Sequence, residues 1–286
     1  MKVIFLIILL LTGSFVFATD STYFSCKYRY TWQKDSTNFN SKFNDVMILT
    51  INDNRSSSYY SYLKQLGNRN AEARLKAIQE GSNATVSGSS NGIVNITANA
   101  KDAANYFTLN ESEAIKIDFS AKLVKVTDNF NLLGNSYGYT DTLSIPKWQI
   151  SFATSIILDQ KCQMATTTFK GRNYTAWFAP GIPYNMGPWL FNGLPGLILK
   201  VSDDRSQFLF ECIELNTPAS STKVFKDYTA VQIIAKNKLQ AKKKLQTQNW
   251  VAFQQAEDGK TITVTDKDGK PVHIADKPYN PIDLTQ

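Results

Sequence analysis

The sequence is poor in the residues on which most catalytic and metal sites depend. Among 286 residues there is a single histidine, His273, and there are three cysteines. One histidine excludes a multi-histidine metal site, and a Ser-His or Cys-His pair would have to use His273 itself. Its place beside the turn-forming KDGKP segment is typical of an exposed histidine. HExxH, Walker and GxSxG patterns are also missing, so we expect no motif-borne catalytic residue, metal or cofactor.

Long hydrophobic runs are missing beyond the first 18 residues. Residues 1–18 carry a positive charge at Lys2, an apolar run over 3–11 and a small residue at Ala18, which is typical of a secretory signal peptide. The apolar run is short for a membrane span of about 20 residues, so cleavage is favoured over an uncleaved anchor. Because Thr19 follows instead of cysteine, we expect no lipoprotein. The mature chain is expected to be periplasmic, outer-membrane associated or secreted.

Charge is moderately one-sided, since 31 Lys and Arg against 24 Asp and Glu give a formal net charge of +7. This excess would suit an anionic lipid, a glycan or nucleic acid, and export argues against nucleic acid. Residues 19–286 show no break in composition, so we expect one β-rich domain. Within it, 82–105 is dominated by Ser, Asn, Gly, Ala and Thr and predicts a mobile insertion.

Aromatic residues are plentiful, with 17 Phe, 13 Tyr and 5 Trp, and many alternate with polar residues as in half-buried strands. Two segments, 70–80 and 228–248, have helical composition instead. The pattern predicts a mainly β fold with a few helices, built as a curved antiparallel sheet or a partly open β-barrel. The second helix carries lysines that could contact an anionic membrane or form a solvated face: Lys236, Lys238, Lys242, Lys243 and Lys244.

The cysteines allow one disulfide. Cys162 and Cys212 lie in two strand-like runs and could be bonded after export, or all three cysteines could be small buried side chains. Cys26 falls on the aromatic face of the first strand-like segment, which predicts a buried thiol.

Carboxylates are the remaining route to catalysis, because a glycosidase needs only two acids about 5–10 Å apart. Asp203 and Asp204 fall in a predicted hairpin turn, where aspartate is favoured for turn geometry. Glu211 and Glu214 fall on opposite faces of a predicted strand. A secreted hydrolase of glycan or peptide is therefore an alternative, and not the preferred interpretation.

A hexapeptide at 193–198 reads Gly-Leu-Pro-Gly-Leu-Ile, and Pro195 and Gly196 suit the central positions of a type II turn. The predicted structural turn comprises Gly193, Leu194, Pro195 and Gly196. Its apolar flanks indicate either a turn between core strands or an apolar rim that contacts a ligand or partner. In the second case the candidate binding residues are the aromatic side chains ahead of the turn: Trp177, Phe178, Tyr184, Trp189 and Phe191.

The chain resembles the GLPGLI family of secreted and envelope-associated bacterial proteins. The resemblance rests on the hexapeptide within the distinctive segment 161–199, on YRYTWQKDSTN at 28–38, on FECIEL at 210–215 and on PYNPIDL at 278–284. It implies an exported bacteroidete-type protein without an established biochemical activity, of a kind often encoded near TonB-dependent outer-membrane receptors. It implies no catalytic residue.

We therefore expect a non-catalytic cell-envelope accessory protein that binds an apolar ligand or a protein partner, such as an outer-membrane receptor or another envelope protein. The hydrolase is one alternative. A structural surface component, which would self-associate, is another.

Overall fold

The computed structural model describes residues 23–52, 55–62, 85–88, 93–97, 112–129, 136–216, 230–259, 261–273, 276 and 278–285. The predicted signal peptide and the predicted helix at 70–80 lie outside these residues. The strands are β1 (Tyr23–Gln33), β2 (Lys42–Asn52), β3 (Ser56–Ser61), β4 (Thr85–Gly88), β5 (Ile93–Thr97), β6 (Glu113–Asp118), β7 (Leu123–Asn129), β8 (Ser136–Thr142), β9 (Gln149–Ile157), β10 (Gln160–Phe169), β11 (Arg172–Ala179), β12 (Leu197–Asp203), β13 (Phe208–Asn216), β14 (Val231–Ile233) and β15 (Thr261–Thr265). The helices are α1 (Lys236–Gln248) and α2 (Trp250–Asp258).

Most of the strands belong to one large sheet, which confirms the mainly β prediction. Its twelve strands run in the order β14-β8-β7-β6-β3-β2-β1-β13-β12-β11-β10-β9. The pair β14–β8 is parallel and the others are antiparallel, so the sheet is mixed. β14 and β9 end the order on opposite sides, and the sheet does not close into a barrel.

The connection between β8 and β9 requires this sheet to curve. β8 is the second strand in the order and β9 the twelfth, so ten strand spacings separate them. In a flat sheet that separation would be about 48 Å. Only residues 143–148 join the two strands, and such a connection reaches at most about 25 Å. The sheet must therefore bend its two ends toward each other.

Alternating aromatic residues of β1 show how the sequence builds the core. Tyr30 stacks on Trp32 at 4.7 Å between ring centroids and on Phe210 of β13 at 4.5 Å. Complete burial of one such side chain stabilises the fold by about 1.5–3 kcal/mol. The buried apolar side chains of β1 recur at every second residue: Phe24, Cys26, Tyr28, Tyr30 and Trp32.

The segment predicted as an insertion contains two of the strands. β4 and β5 pair antiparallel, and β5 pairs in parallel with β15 near the C-terminus. The prediction of a loop over 82–105 was therefore wrong at these nine positions. Val86, Ile93, Val94 and Ile96 carried the strand signal, which the many small polar residues around them obscured.

The predicted helix at 228–248 begins later than expected. Val231–Ile233 form β14 against β8, as suits β-branched residues, and the helix starts at Lys236. A second helix, α2, follows at once. The Asn249 side chain caps it by accepting a hydrogen bond from the Ala252 N–H, and Gly259 ends it in a left-handed conformation. Within the described part of the chain, neither helix is long and apolar enough to cross a membrane.

Candidate functional site

The hexapeptide turn is present, but it is tighter than a type II turn. The Gly196 N–H donates to the Leu194 carbonyl at 2.8 Å, which closes a three-residue γ-turn around Pro195. The Leu197 N–H donates to the Ile182 carbonyl instead. A Cβ atom at Gly196 would lie 2.3 Å from the Ala179 carbonyl oxygen. Glycine is required here because the backbone of Ala179 approaches so closely.

The aromatic candidates ahead of the turn belong mostly to the core. Phe178 and Phe191 are fully buried, Trp189 is buried, and only Trp177 and Tyr184 keep partial exposure. The Phe191 ring contacts the Trp189 ring at 5.3 Å between centroids. A ligand could reach only Trp177 and Tyr184 of this set without rearrangement of the core.

The three cysteines are buried and unbridged, so of the two alternatives the Cys162–Cys212 disulfide is not formed. Cys26 and Cys212 lie on the paired strands β1 and β13, and the Cys212 thiol donates to the Glu214 carbonyl at 3.5 Å. Burial first, and the neighbouring Cys212 second, raise the pKa of the Cys26 thiol well above its ordinary value. Burial also raises the pKa of Cys162. The interpretation of all three as buried side chains fits the structure. The raised pKa values of Cys26 and Cys162 disfavour reactive thiolates at these two positions.

The two acid pairs considered for hydrolysis have structural partners. Asp203 is buried and accepts a hydrogen bond from the Phe208 N–H at 2.7 Å, whereas Asp204 is exposed and accepts one from Asn173. Glu214 pairs with Lys27 at 2.7 Å. Glu211 pairs with Lys200 and Arg29. The described carboxylates of these pairs thus serve turns and cross-strand ion pairs.

A small charged cleft lies where α1 meets β7, β8, the Trp189–Leu190 segment and the C-terminal residues 279–283. Lys236 lies 3.2 Å from Asp141 and 3.8 Å from Asp283, and Lys243 lies 2.7 Å from Glu113. Partial burial opposes ionisation of Asp141, but hydrogen bonds from Lys236 and the Thr142 N–H hold its pKa below the ordinary value. This carboxylate is ionised at neutral pH and unsuited to act as a general acid.

The size of the cleft limits what it can hold. Its volume of about 70 Å³ has room for a few water molecules. An apolar ligand of ordinary size needs several hundred Å³ lined mainly by apolar groups. The charged side chains on its wall are already joined in ion pairs, so the cleft does not offer a preformed apolar site.

Some lysines of α1 form ion pairs within the protein, and others are exposed to solvent. Lys236 and Lys243 point into the cleft, and Lys242 pairs with Glu257 of α2. Lys238 and Lys244 are exposed. Of the five lysines considered for membrane contact, these two form no ion pair with a described carboxylate.

The outer strand β9 differs from the charged cleft, because it carries exposed apolar side chains. It ends the large sheet, and among the described residues it pairs only with β10. Four apolar side chains of this strand and of the turn that follows it are exposed, and we call them the edge surface: Ile150 (49%), Phe152 (100%), Ile156 (66%) and Leu158 (39%). No charged residue interrupts 148–158.

A bulge in β9 fixes the most exposed of these side chains. Thr154 pairs with Gln163 and Ile150 with Ala165, so residues 151–153 lie opposite Met164 alone. The Gln163 side chain donates to the Ser151 carbonyl at 2.7 Å, and the Ala153 N–H donates to the Ser151 hydroxyl at 3.2 Å. These bonds satisfy backbone groups of the bulge and leave Phe152 projecting. A preorganised exposed aromatic residue is typical of the anchor of a binding surface.

The hexapeptide region holds the connection that leads into β9. The Trp148 indole N–H donates to the Asn192 carbonyl at 2.8 Å, and the Asn192 side chain donates to the Ser144 carbonyl at 3.2 Å. The space beside Gly193, where a Cβ atom would stand, is filled by Ile145. The predicted turn therefore positions the edge surface, although the aromatic residues predicted for binding are not part of it.

Comparison with known proteins gives a partial match. A family model described as a protein of unknown function, Porph_ging, matches residues 139–200, which include β9 and the hexapeptide. It supports a relation to an uncharacterised family over this region, and the GLPGLI name stays a prediction. No curated protein matches the chain.

Distant similarity to solved structures extends beyond that region. Two structures of PNGF-II, in space groups C2 and P21, match 77% of this chain with TM-scores of 0.46 and 0.47 and identities of 13% and 11%. The matched region is 32% and 33% of those chains, so this chain spans about a third of their length.

Proposed function

We propose that this protein is an exported cell-envelope accessory protein that binds a protein partner through the edge surface. The observation that supports this most directly is the exposure of Phe152 together with Ile150 and Ile156 on the outermost strand. Native sheets usually protect their outer strands with charges, proline or a covering segment. β9 has no charge or proline, and no other described strand pairs with its outer side.

The extent of the edge surface fits a binding role. A fully exposed phenylalanine offers about 200 Å² of surface. With the aliphatic residues beside it, the edge surface reaches the few hundred Å² at which apolar patches on soluble proteins are usually functional. The region matched by the family model includes all four residues.

The proposed export and the proposed link to a receptor are supported by the sequence. The first 18 residues have the pattern of a signal peptide, and the GLPGLI resemblance implies an envelope location near outer-membrane receptors. Binding of a protein is favoured over binding of an apolar ligand because the cleft is small and charged while the exposed apolar groups lie on a strand edge. The carboxylate hydrolase has no comparable support.

Photo-cross-linking in the native cell tests this proposal. A benzoylphenylalanine placed at Phe152 of the full chain should form a protein adduct in the envelope fraction after irradiation, because this side chain would lie in the interface. The same group placed at Phe39, which is 68% exposed in the loop between β1 and β2, is the matched control. Equal adduct yields at the two positions, or no adduct at position 152, would contradict the proposal.

A further inference from the structure

A polar groove lies on the face of the large sheet that points away from the aromatic core. Its floor is formed by β10 and β11, one side by the start of β9 and the other side by the turn after β12. The groove encloses about 290 Å³, which is near the lower end of the range for small-molecule sites. It is therefore much larger than the charged cleft beside α1 and has room for an organic ligand.

The strand register brings short polar side chains together on the floor of the groove. Thr166 of β10 lies opposite Thr175 of β11, and Thr168 lies opposite Asn173. Burial alternates along β11, so that Asn173 and Thr175 share the face directed away from the core. Gln149 of β9 pairs with Thr166 and continues the same row. The floor thus presents hydroxyl and amide groups, and no large apolar side chain separates them.

A ligand in the groove would meet side chains and not free backbone groups. β10 pairs with β9 on one side and with β11 on the other, and β11 pairs with β10 and β12. Their backbone N–H and carbonyl groups are engaged in these ladders. A peptide cannot bind here as an added strand, which is the usual way in which a peptide joins a sheet.

The groove is partly preorganised and partly unsatisfied. The Thr168 hydroxyl donates to the Asn173 side chain at 2.8 Å, and the Asn173 amide donates to Asp204 at 3.0 Å, which orients one end of the groove. Three other lining side chains have no hydrogen-bond partner among the described residues: Gln149, Thr166 and Thr175. Hydroxyl and amide groups both donate and accept hydrogen bonds, as the hydroxyl groups of a sugar do.

The charges of the groove disfavour an ionic ligand. Two charged side chains line it, Lys147 and Asp204, and both are exposed. One ammonium and one carboxylate cancel, whereas a phosphate or sulfate group requires an excess of cations. An apolar ligand would deprive the lining groups of water without offering them hydrogen bonds. An uncharged ligand rich in hydroxyl groups satisfies both conditions.

A tryptophan extends the same face of β11 beyond the groove. Trp177 follows Thr175 by two positions, lies opposite Met164 and is half-buried. The π face of an indole ring attracts positively polarised hydrogens, such as the C–H groups on one side of a sugar ring. Trp177 is also one of the aromatic residues that the sequence suggested for binding.

We propose that this groove binds an uncharged glycan. The threonine and amide side chains of the floor bind the hydroxyl groups of one sugar, and Trp177 packs against the ring of a neighbouring sugar. The groove is open to solvent, so the glycan chain continues past it. This site is separate from the edge surface, and the inference goes beyond the protein-binding role proposed above.

A glycan array tests the inference. The purified protein should bind neutral glycans in preference to acidic glycans and to polar peptides on the same array. Thr166→Val and Thr175→Val should each weaken binding to the preferred neutral glycan about fivefold, because valine keeps the shape of threonine but lacks its hydroxyl group. Thr154→Val is the matched control, since Thr154 is exposed on β9 and does not line the groove.

Titration of the free preferred glycan into each variant gives the affinities, and circular dichroism verifies that the variants are folded. Valine suits an exposed strand position, so the folds should be unchanged. A preference for neutral glycans that both groove variants reduce and Thr154→Val retains supports the inference. Binding confined to acidic glycans or to peptides, equal affinities in all three variants, or a protein that binds no glycan on the array overturns it.

Discussion

Gly196 shows how a single residue sets the geometry of the matched region. The γ-turn at Pro195 brings the start of β12 against Ala179 and Pro180, where an added Cβ atom would lie within 3 Å of three backbone atoms. Backbone atoms cannot move aside as the end of a flexible side chain can. The same turn region anchors the connection into β9, so strain at Gly196 should be felt at the edge surface as well.

We expect Gly196→Ala to destabilise the protein by about 2–3 kcal/mol, because the methyl group overlaps the Ala179 carbonyl. Urea denaturation followed by tryptophan fluorescence measures the change. Gly181→Ala is the matched control, since a Cβ atom there has no neighbour within 4 Å and should leave the midpoint nearly unchanged. Similar midpoints for the two variants would show that the backbone yields at Gly196.

The sequence identified Gly196 by the positive φ that a type II turn requires, and φ is indeed positive here at 150°, but the close approach of Ala179 is a second reason that the sequence did not indicate. Its neighbour Pro195 indicated a local turn, and local geometry is what a dipeptide pattern encodes. The approach of Ala179 depends on the pairing of β11 with β12, which residues 195–196 alone do not specify. The sequence also left open whether Phe178 and Phe191 are buried, because apolar residues give the same sequence pattern in a core and on a binding surface.

Helix α1 is attached to the sheet by charge as much as by apolar packing. Leu239 is its one fully buried side chain among the described residues, and its lysines reach carboxylates on other elements. Lys243 lies 2.7 Å from Glu113 of β6 and 3.4 Å from Asp128 of β7, which is completely buried. Its cation thus offsets part of the cost of holding these carboxylates away from water.

Loss of the Lys243 charge should destabilise the docked helix, whereas loss of a neighbouring exposed lysine should not. We expect Lys243→Ala to cost about 2 kcal/mol, since two carboxylates of low exposure lose a cation. Lys238→Ala, on an exposed position of the same helix, should change stability by less than about 0.5 kcal/mol. Thermal unfolding monitored by circular dichroism compares them, and equal shifts would mean that the ion pairs contribute nothing measurable.

Strand signals were reliable where large apolar residues alternate over a long segment, as in β1. They are weak at β8, where SYGYTDT has few apolar residues, and at β4 and β5, which are short. The sequence of β9 favours a strand, but it does not indicate a place at the edge of the sheet. That place depends on the order of all twelve strands, and an apolar alternation is the same for a covered strand and an uncovered one.

At the scale of the whole molecule, a buried polar network joins segments that are far apart in the chain. Arg172 donates to Gln207 at 2.9 Å, to Asn280 at 2.7 Å and to the Pro281 carbonyl at 2.7 Å, and it lies 3.5 Å from Asp203. Asn280 in turn donates to the Gln33 carbonyl at the end of β1. The network ties the C-terminal segment to three strands of the curved sheet.

Removal of the Arg172 guanidinium should therefore destabilise the whole fold and not only detach the C-terminal segment. We expect Arg172→Met to cost about 3–5 kcal/mol, because Asp203 would stay buried without its cation. Arg205→Met, at an exposed position of the β12–β13 turn, is the matched control and should be nearly neutral. Urea denaturation gives the stability, and limited proteolysis reports release of residues 278–285. Proteolytic release with an unchanged urea midpoint would confine the role of Arg172 to holding the C-terminal segment, because a network that supports the sheet must lower both.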